Sequence, residues 1–311
     1  MQTIVVDGLT KDYGHGRGIF DVTFDVERGE VLGFLGPNGA GKSTTMRHLM
    51  GFSKPQSGHA SIAGLDCWRE HSAVMRNVGY LPGEVALPEG LDGRGFVRMM
   101  QGLRGMNADG AAAQIAQRFQ LDAQGDIRKL SVGEKRKLAI VAAFMNDPEV
   151  LLLDEPTSGL DPAMQEVFIE FMVEQKRRGK TVLLSSHIFS EVEALCDRIA
   201  IIKEGRIIKV VNAQDVKHFK RKSFDLSFTN RKAFSTFKKA GFEVREEDAS
   251  LLTLSVAVPD EQTNAFIRAA AACKPATLVE RQQTLEDYFM HFYKSDKTFG
   301  GVNRGKHHRG K

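Results

Sequence analysis

The sequence is poor in cysteine and has no long apolar run. Its 311 residues include three cysteines, Cys67, Cys196 and Cys273, which lie far apart and without the spacing of metal ligands. We therefore expect free thiols in a reducing compartment rather than a disulfide framework. The most hydrophobic stretches, residues 139–145 and 150–153, are much shorter than the roughly 20 apolar residues that a membrane-spanning helix needs.

The N-terminus and the net charge exclude further classes. Residues 1–7 lack the basic and apolar blocks of a secretory signal, so we expect the chain to stay in the cytosol and to reach a membrane only through a partner. The net charge of +4, from 43 basic and 39 acidic residues, is too small to indicate nucleic acid, and none is expected as a partner. The length suits two unequal domains.

Short apolar runs alternate with helical patterns along most of the chain. Early strands are predicted at 4–6 and 20–26, and buried core strands at 30–35, 150–153, 181–185 and 198–202. Continuous apolar strands separated by helices are typical of a parallel sheet covered on both faces. The predicted fold class is therefore α/β.

The pattern changes after about Asp215. The predicted elements there follow the order β-α-β-β-α-β of a small ferredoxin-like domain, with strands at 224–228, 243–245, 251–258 and 277–280, helices at 231–240 and 260–272, and a last helix at 285–293. We expect an N-terminal domain over 1–215 and an α+β domain over 216–294. The basic tail, 295–311, is expected to be flexible and solvated, or else to contact anionic lipid headgroups.

Residues 36–44, Gly-Pro-Asn-Gly-Ala-Gly-Lys-Ser-Thr, form a complete phosphate-binding loop between a predicted strand and a helix that begins near Lys42. The glycines let backbone N–H groups point at phosphate oxygens, and the helix start adds partial positive charge. Lys42 can reach the β- and γ-phosphates, and the Ser43 hydroxyl can bind Mg²⁺. The candidate nucleotide-binding residues are Gly36, Asn38, Gly39, Gly41, Lys42, Ser43 and Thr44.

Two carboxylates end a buried strand. The run 150–153 is followed by Asp154, which would hold Mg²⁺, and Glu155, which would polarise the attacking water. Such a pair is mostly structural when it stands alone. A phosphate-binding loop in the same chain favours the functional interpretation, and the two motifs together indicate a nucleotide hydrolase.

A third segment narrows the class. Residues 130–134, Leu-Ser-Val-Gly-Glu, resemble the Leu-Ser-Gly-Gly-Gln signature of ATP-binding cassette (ABC) ATPases and stand just before the second motif, as in that family. Alone, Ser131 before a helix would be interpreted as an N-cap. The resemblance covers about residues 3–212 and implies ATP and Mg²⁺ as cofactors, with a helical subdomain at about 85–148.

The resemblance also implies roles for single residues. Ser131, Gly133 and Glu134 would contact nucleotide held by a second ATPase subunit, and Asp161 would lie in a loop between the two subunits. His187, at the end of the strand 181–185, would sense the γ-phosphate. Tyr13 would stack on adenine, although an early aromatic residue can equally be ordinary packing.

The sequence departs from the family pattern at three places. Val132 stands where the signature has glycine, and Glu134 stands where it has glutamine. The glutamine that usually touches Mg²⁺ and communicates with the membrane partner is missing from residues 78–84. Glu84 either takes over that metal contact, as a carboxylate can, or is a surface residue.

The overall resemblance is to ATPase subunits of exporters for drugs, antibiotics, lipids or polysaccharides. It implies a separate transmembrane permease, a second ATPase subunit that is identical or related, and a place at the cytoplasmic face of the membrane. The apolar stripe Phe96, Met99, Met100 and Leu103 either packs internally or forms a groove for a short permease helix. An importer ATPase, or a soluble ABC ATPase acting on ribosomes or DNA, remains an alternative.

Overall fold

The computed structural model describes residues 1–105, 109–217 and 221–281, together with Leu285 and Phe289. The chain divides into two compact units, Met1–Ala213 and Gln214–Lys311. Within the described ranges, no helix is both long enough and apolar enough to cross a membrane.

Two sheets form the framework of the first unit. Its strands are β1 (Gln2–Asp12), β2 (Gly18–Glu27), β3 (Val31–Leu35), β4 (Ser57–Ile62), β5 (Leu65–Asp66), β6 (Val78–Leu81), β7 (Val150–Asp154), β8 (Thr181–Ser186), β9 (Arg198–Lys203) and β10 (Arg206–Asn212). Its helices are α1 (Lys42–Leu49), α2 (His71–Asn77), α3 (Gly93–Arg104), α4 (Asp109–Arg118), α5 (Val132–Phe144), α6 (Pro162–Arg177) and α7 (Phe189–Leu195).

The larger sheet has the strand order β10-β9-β3-β8-β7-β6, and the smaller one has the order β2-β1-β4-β5. In the larger sheet every pair is parallel except β10 with β9. All residues of β3, β7 and β8 are buried, as expected for strands that are covered on both faces. The predicted α/β class is confirmed.

The register of the central strands brings three chain segments to one edge of the larger sheet. Leu35 of β3 pairs with Ser186 of β8, and Asp154 of β7 pairs with Ser185 of β8. The carboxyl ends of these parallel strands therefore lie side by side. In open α/β sheets this edge is where ligands bind.

Helices α3 and α4 pack against α5 in the first unit, and α5 also packs against β6. Helix α3 begins after Asp92, whose carboxylate accepts a hydrogen bond from Gly95 N at 2.6 Å, and ends at Gly105 with φ 69°. The apolar stripe of α3 divides between two environments. Phe96 and Met100 pack toward α5. The side chains of Met99 and Leu103 are exposed, and Leu103 has an exposed fraction of 72%.

The second unit begins within α8 (Ala213–Lys217) and is an antiparallel sheet with two longer helices. Its elements are β11 (Arg221–Ser227), α9 (Arg231–Lys238), β12 (Glu243–Asp248), β13 (Thr253–Pro259), α10 (Thr263–Cys273) and β14 (Thr277–Arg281), with the strand order β12-β13-β11-β14. The predicted order β-α-β-β-α-β is confirmed. Phenylalanine rings fill the core, and Phe224 stacks on Phe266 at 4.3 Å between centroids.

Two predictions concern residues beyond these ranges. The basic tail, 295–311, and most of the helix predicted at 285–293 lie outside the described residues.

The cysteines are free thiols in different environments. Cys67 and Cys196 are buried, and Cys273 is half-buried. Burial raises the pKa of the Cys67 thiol to about 12 and raises that of Cys196 as well. A Cβ atom at Gly33 of β3 would lie 2.7 Å from Cys196 Sγ, so this close approach requires glycine on the strand.

Candidate functional site

The loop between β3 and α1 is shaped by glycines that no larger residue can replace. A Cβ at Gly36 would lie 2.4 Å from the Ile202 carbonyl oxygen. Gly41 has φ 111° and precedes α1 as its N-cap, with no side-chain hydrogen bond to the first turn. Asn38, Gly39 and Ser43 are exposed. The loop therefore presents free backbone N–H groups and a hydroxyl at a helix start, the arrangement that binds phosphate.

Lys42 is a buried cation at the base of this loop. Its side chain donates to the carbonyl oxygens of Gly36 at 2.7 Å and Pro37 at 3.3 Å. Its ammonium also lies 3.1 Å from Glu155 Oε1. A buried charge is costly unless it is paired, and here the loop carbonyls and Glu155 provide the partners.

Asp154 is buried at the end of β7. Its Oδ1 accepts a hydrogen bond from the Ser185 hydroxyl, and a Cβ at Gly83 would lie 3.1 Å from its Oδ2. A carboxylate and a hydroxyl such as that of Ser43 are oxygen ligands of the kind that Mg²⁺ prefers. The donor set therefore fits a magnesium ion.

Glu155 is held in a rare backbone conformation beside His187. Its φ is 47°, and its N–H donates to the Ser185 carbonyl at 3.0 Å. Its Oε2 lies 2.5 Å from His187 Nδ1, which must donate because a carboxylate only accepts. Its Oε1 accepts no aligned hydrogen bond from the described residues, although Lys42 is within ion-pair distance. A carboxylate oxygen with spare capacity beside a phosphate loop can accept a proton from water.

The signature segment is a complete capping box at the start of α5. The Glu134 carboxylate accepts from Ser131 N at 2.8 Å and from the Ser131 hydroxyl at 2.7 Å, while Glu134 N–H points to Ser131 Oγ at 3.2 Å. The Ser131 hydroxyl holds the pKa of Glu134 below its usual value, so this helix start carries a negative charge. Val132 is 73% exposed.

Asp161, Tyr13 and Glu84 are exposed. The Asp161 carboxylate caps α6 by accepting from Met164 N at 3.0 Å, which is a local structural contact. The Tyr13 ring is 53% exposed, and Lys11 Nζ lies 5.7 Å from its centroid. Glu84 is exposed. Its neighbour Gly83 is packed against Asp154.

Sequence reasoning missed two residues that support this edge. Ser185 bonds both carboxylate residues, as described above. Arg136 of α5 is buried, and its guanidinium donates to the carbonyl oxygens of Ser158 at 2.9 Å, Pro82 at 2.6 Å and Gly83. Burial lowers the pKa of Arg136, and the nearby charges of Asp154 and Glu155 oppose that shift. Arg136 thereby links the signature helix α5 to two loops, the one that follows β6 and the one that follows Glu155.

Known proteins share this arrangement of motifs. Residues 19–158 match the family model described as "ABC transporter". The chain is 34% identical over 221 residues to the uncharacterized ABC transporter ATP-binding protein YhcH of Bacillus subtilis, covering 69% of this chain and 72% of that protein. It is 30% identical over 299 residues to the bacitracin transport ATP-binding protein BcrA of Bacillus licheniformis, covering 93% and 97%. The chain belongs to the ABC transporter ATP-binding proteins.

Solved structures of ABC ATP-binding proteins have the same fold. One, described as the ATP-binding subunit of an ABC transporter, matches with a TM-score of 0.65 and 32% identity and covers 69% of this chain and 92% of its own. The dimeric cassette MJ0796 matches with a TM-score of 0.61, over 68% and 98%, but at 22% identity it supports the fold alone. As an ABC ATPase, the chain binds ATP and hydrolyses it.

Proposed function

We propose that the chain drives a membrane exporter whose permease is a separate polypeptide, and that it works at the cytoplasmic face of the membrane. The observation that carries the ATPase site is the convergence of Lys42, Asp154, Glu155 and His187 on one edge of the parallel sheet. The exporter assignment draws on relatives that match nearly full length. These include BcrA, named for bacitracin transport, and DrrA3 of Streptomyces coeruleorubidus, named for daunorubicin resistance and 32% identical over 94% of this chain and 96% of that protein.

ATP would lie along the loop 36–44. The backbone N–H groups of this loop and the ammonium of Lys42 would hold the phosphates, with Asn38, Gly39 and Thr44 lining the path. Tyr13 would stack on the adenine, a contact worth ~1 kcal/mol that reads little base identity. The exposure of the Tyr13 ring leaves it accessible to the base.

Asp154 and Ser43 would hold Mg²⁺, with Glu84 as a further candidate. When bound, Mg²⁺ neutralises charge that develops on the transferring phosphoryl group. Asp154 is suited to this role because Ser185 engages only one carboxylate oxygen, and the other lies beside Gly83, which has no side chain.

Glu155 would act as the base that orients and deprotonates the attacking water. Its Oε1 lies 3.1 Å from the ammonium of Lys42. A bound γ-phosphate would offer Lys42 another anionic partner, and Glu155 Oε1 would then be available to water. The hydrogen bond from His187 to Oε2 then fixes the carboxylate while His187 senses the phosphate.

The partners follow from the exposed surfaces. Ser131, Gly133, Glu134 and Asp161 would face a second ATPase subunit, identical or related. The exposed Met99 and Leu103 side chains of α3, within the helical subdomain at about 85–148, offer an apolar contact for a permease helix. Substrate choice would then reside in the permease.

The ATPase assignment is tested by Glu155→Gln. Loss of the base should lower the turnover number by about 100-fold or more, whereas ATP binding should persist because the phosphate loop is intact. Phosphate release and equilibrium binding of a fluorescent ATP analogue measure the two effects. Glu166→Gln, at an exposed glutamate on α6, is the matched control and should keep wild-type turnover.

The partner assignment is tested by affinity capture of tagged Glu155→Gln protein from detergent-solubilised membranes with Mg-ATP. Mass spectrometry should identify a stoichiometric multi-spanning protein. Co-purification of a substrate-binding protein would shift the assignment to an importer. Recovery of ribosomal or DNA-associated proteins instead would overturn the transporter assignment.

A further inference from the structure

We propose that Glu191 is a positioning residue that ties the loop after Glu155 to the strand end that carries His187. This inference rests on the proposed roles of Glu155 and His187 in hydrolysis. Glu191 lies in α7 and is 3% exposed, so its carboxylate is not a surface charge.

Each carboxylate oxygen of Glu191 has one hydroxyl donor, and the two donors come from different segments, the loop after Glu155 and the end of β8. Thr157 Oγ1 donates to Oε1. Ser186 Oγ donates to Oε2 at 2.8 Å and accepts a hydrogen bond from Ile188 N at 2.9 Å. Thr157 and Ser186 are 1% and 0% exposed. Glu191 therefore bridges two buried hydroxyls with no solvent between them.

Those two hydroxyls stand next to the proposed catalytic pair. Thr157 follows Glu155 by two residues, and Ser186 immediately precedes His187. Because His187 also bonds Glu155 at 2.5 Å, the contacts close a ring through Glu191. A shift of the loop after Glu155 relative to the end of β8 would have to break one of these hydrogen bonds.

We infer that this ring of hydrogen bonds holds the backbone of Glu155 in place. With φ 47°, Glu155 lies in a left-handed conformation that an L-residue keeps only where its surroundings enforce it. The Ser185 carbonyl fixes it from one side through Glu155 N–H, and the Thr157–Glu191 bond fixes the chain just beyond it. That backbone conformation sets the position of the Glu155 carboxylate, which would orient the attacking water.

Burying the Glu191 carboxylate at this position costs folding free energy. Burial raises its pKa, the charge of Glu155 raises it further, and His187 and the two hydroxyl donors oppose the shift. Packing alone would be served better by an apolar side chain of similar volume. The two hydrogen-bond acceptors are therefore the property that this position uses.

Steady-state ATP hydrolysis by full-length variants tests the proposal. Glu191→Met keeps the volume and removes both acceptors, and it should lower kcat by about 10- to 100-fold, the effect of a misplaced catalytic group. KM for Mg-ATP should change by less than about twofold, because the hydrogen-bond partners of Glu191, Thr157 and Ser186, lie outside the phosphate loop.

The conservative variant provides the rescue. In Glu191→Gln the amide oxygen accepts from one hydroxyl, and the other hydroxyl can rotate to accept from the amide nitrogen. Its kcat should recover to within about threefold of wild type, since both bridges are rebuilt. Thr157→Val and Ser186→Ala, which each remove one bridge, should fall between the Met and Gln variants.

The outcomes are decisive in either direction. Wild-type kcat in Glu191→Met, or a raised KM with unchanged kcat, would overturn the positioning role. If that variant fails to fold, as thermal unfolding would show, the single-bridge variants decide by the same split between kcat and KM. Full activity of Glu155→Gln would instead refute the proposed function, whereas inactive Glu155→Gln with fully active Glu191→Met would refute only this inference.

Discussion

Two helices of the first unit begin beside proposed phosphate contacts, and their first turns are built in opposite ways. Helix α1 follows Gly41 and has no side-chain cap, so its N–H donors stay available for an anion. Helix α5 follows Ser131 and carries a full capping box with Glu134, which satisfies the same kind of donors and adds a negative charge. We call the uncapped start of α1 the open site and the capped start of α5 the closed site. In the proposed function, the Ser131 hydroxyl would have to leave the Glu134 carboxylate before it could donate to a phosphate.

The largest expected effect comes from closing the open site. Gly41→Ala would place a Cβ 2.8 Å from Ile19 Cγ2 at φ 111°, so the loop must distort, and a strain of ~3 kcal/mol would weaken ATP binding by about 100-fold. Equilibrium titration with a fluorescent ATP analogue measures this loss.

Gly102→Ala on α3 is the matched control, because its Cβ would have no atom within 4 Å. This variant should bind ATP as wild type does and gain up to ~1 kcal/mol in the free energy of unfolding. Equal affinity of the two variants for ATP would show that the open turn is not the phosphate site.

A smaller effect should follow from neutralising the closed site. Glu134→Gln keeps a side chain that can cap Ser131 but removes the negative charge of the carboxylate, whose pKa the Ser131 hydroxyl lowers. In a Glu155→Gln background the ATP-dependent dimer should become about fivefold tighter, or ~1 kcal/mol, since an anion would then meet an uncharged helix start. Sedimentation at graded ATP concentrations measures the dimer.

The control for this prediction is Glu134→Ala, which removes the cap and should cost ~1 kcal/mol of folding stability. A dimer weakened by Glu134→Gln would mean that the carboxylate itself makes a favourable contact across the interface.

The smallest expected effect concerns the contact between the signature turn and the loop after Glu155. A Cβ at Gly159 would lie 2.8 Å from Val132 Cγ1. Gly159→Ala and Val132→Ala should therefore couple by about 0.5 kcal/mol or more in the free energy of unfolding. Urea denaturation of the single and double variants measures the coupling, and additivity would show that the closed turn and this loop are independent.

The site residues that could be predicted from the sequence are those that belong to short, continuous motifs. The loop 36–44 and the pair Asp154 and Glu155 depend on local spacing and on one strand, and the structure brings them to one edge of the sheet. Arg136 and Glu191 escaped prediction because each has a partner far away along the chain, the Pro82 carbonyl for Arg136 and the Thr157 hydroxyl for Glu191. In the sequence each is only a charged residue within a helix.

Elements without strong periodicity were also missed. The strand β4, Ser57–Ile62, reads Ser-Gly-His-Ala-Ser-Ile and has few apolar residues. It exists because β1 pairs with it over several residues, including Ile4 with Ile62. Tertiary pairing, rather than intrinsic propensity, decides such strands.

Because two of the three cysteines are buried, we expect a thiol-reactive dye to label the protein at the third one without any mutation. Maleimide dyes react with the thiolate form of accessible thiols, and the buried Cys67 and Cys196, with their raised pKa values, offer little of it. Half-buried Cys273, at the end of α10 in the second unit, remains as the reactive position. A single fluorophore would therefore report on the second unit while the ATPase site keeps its native residues.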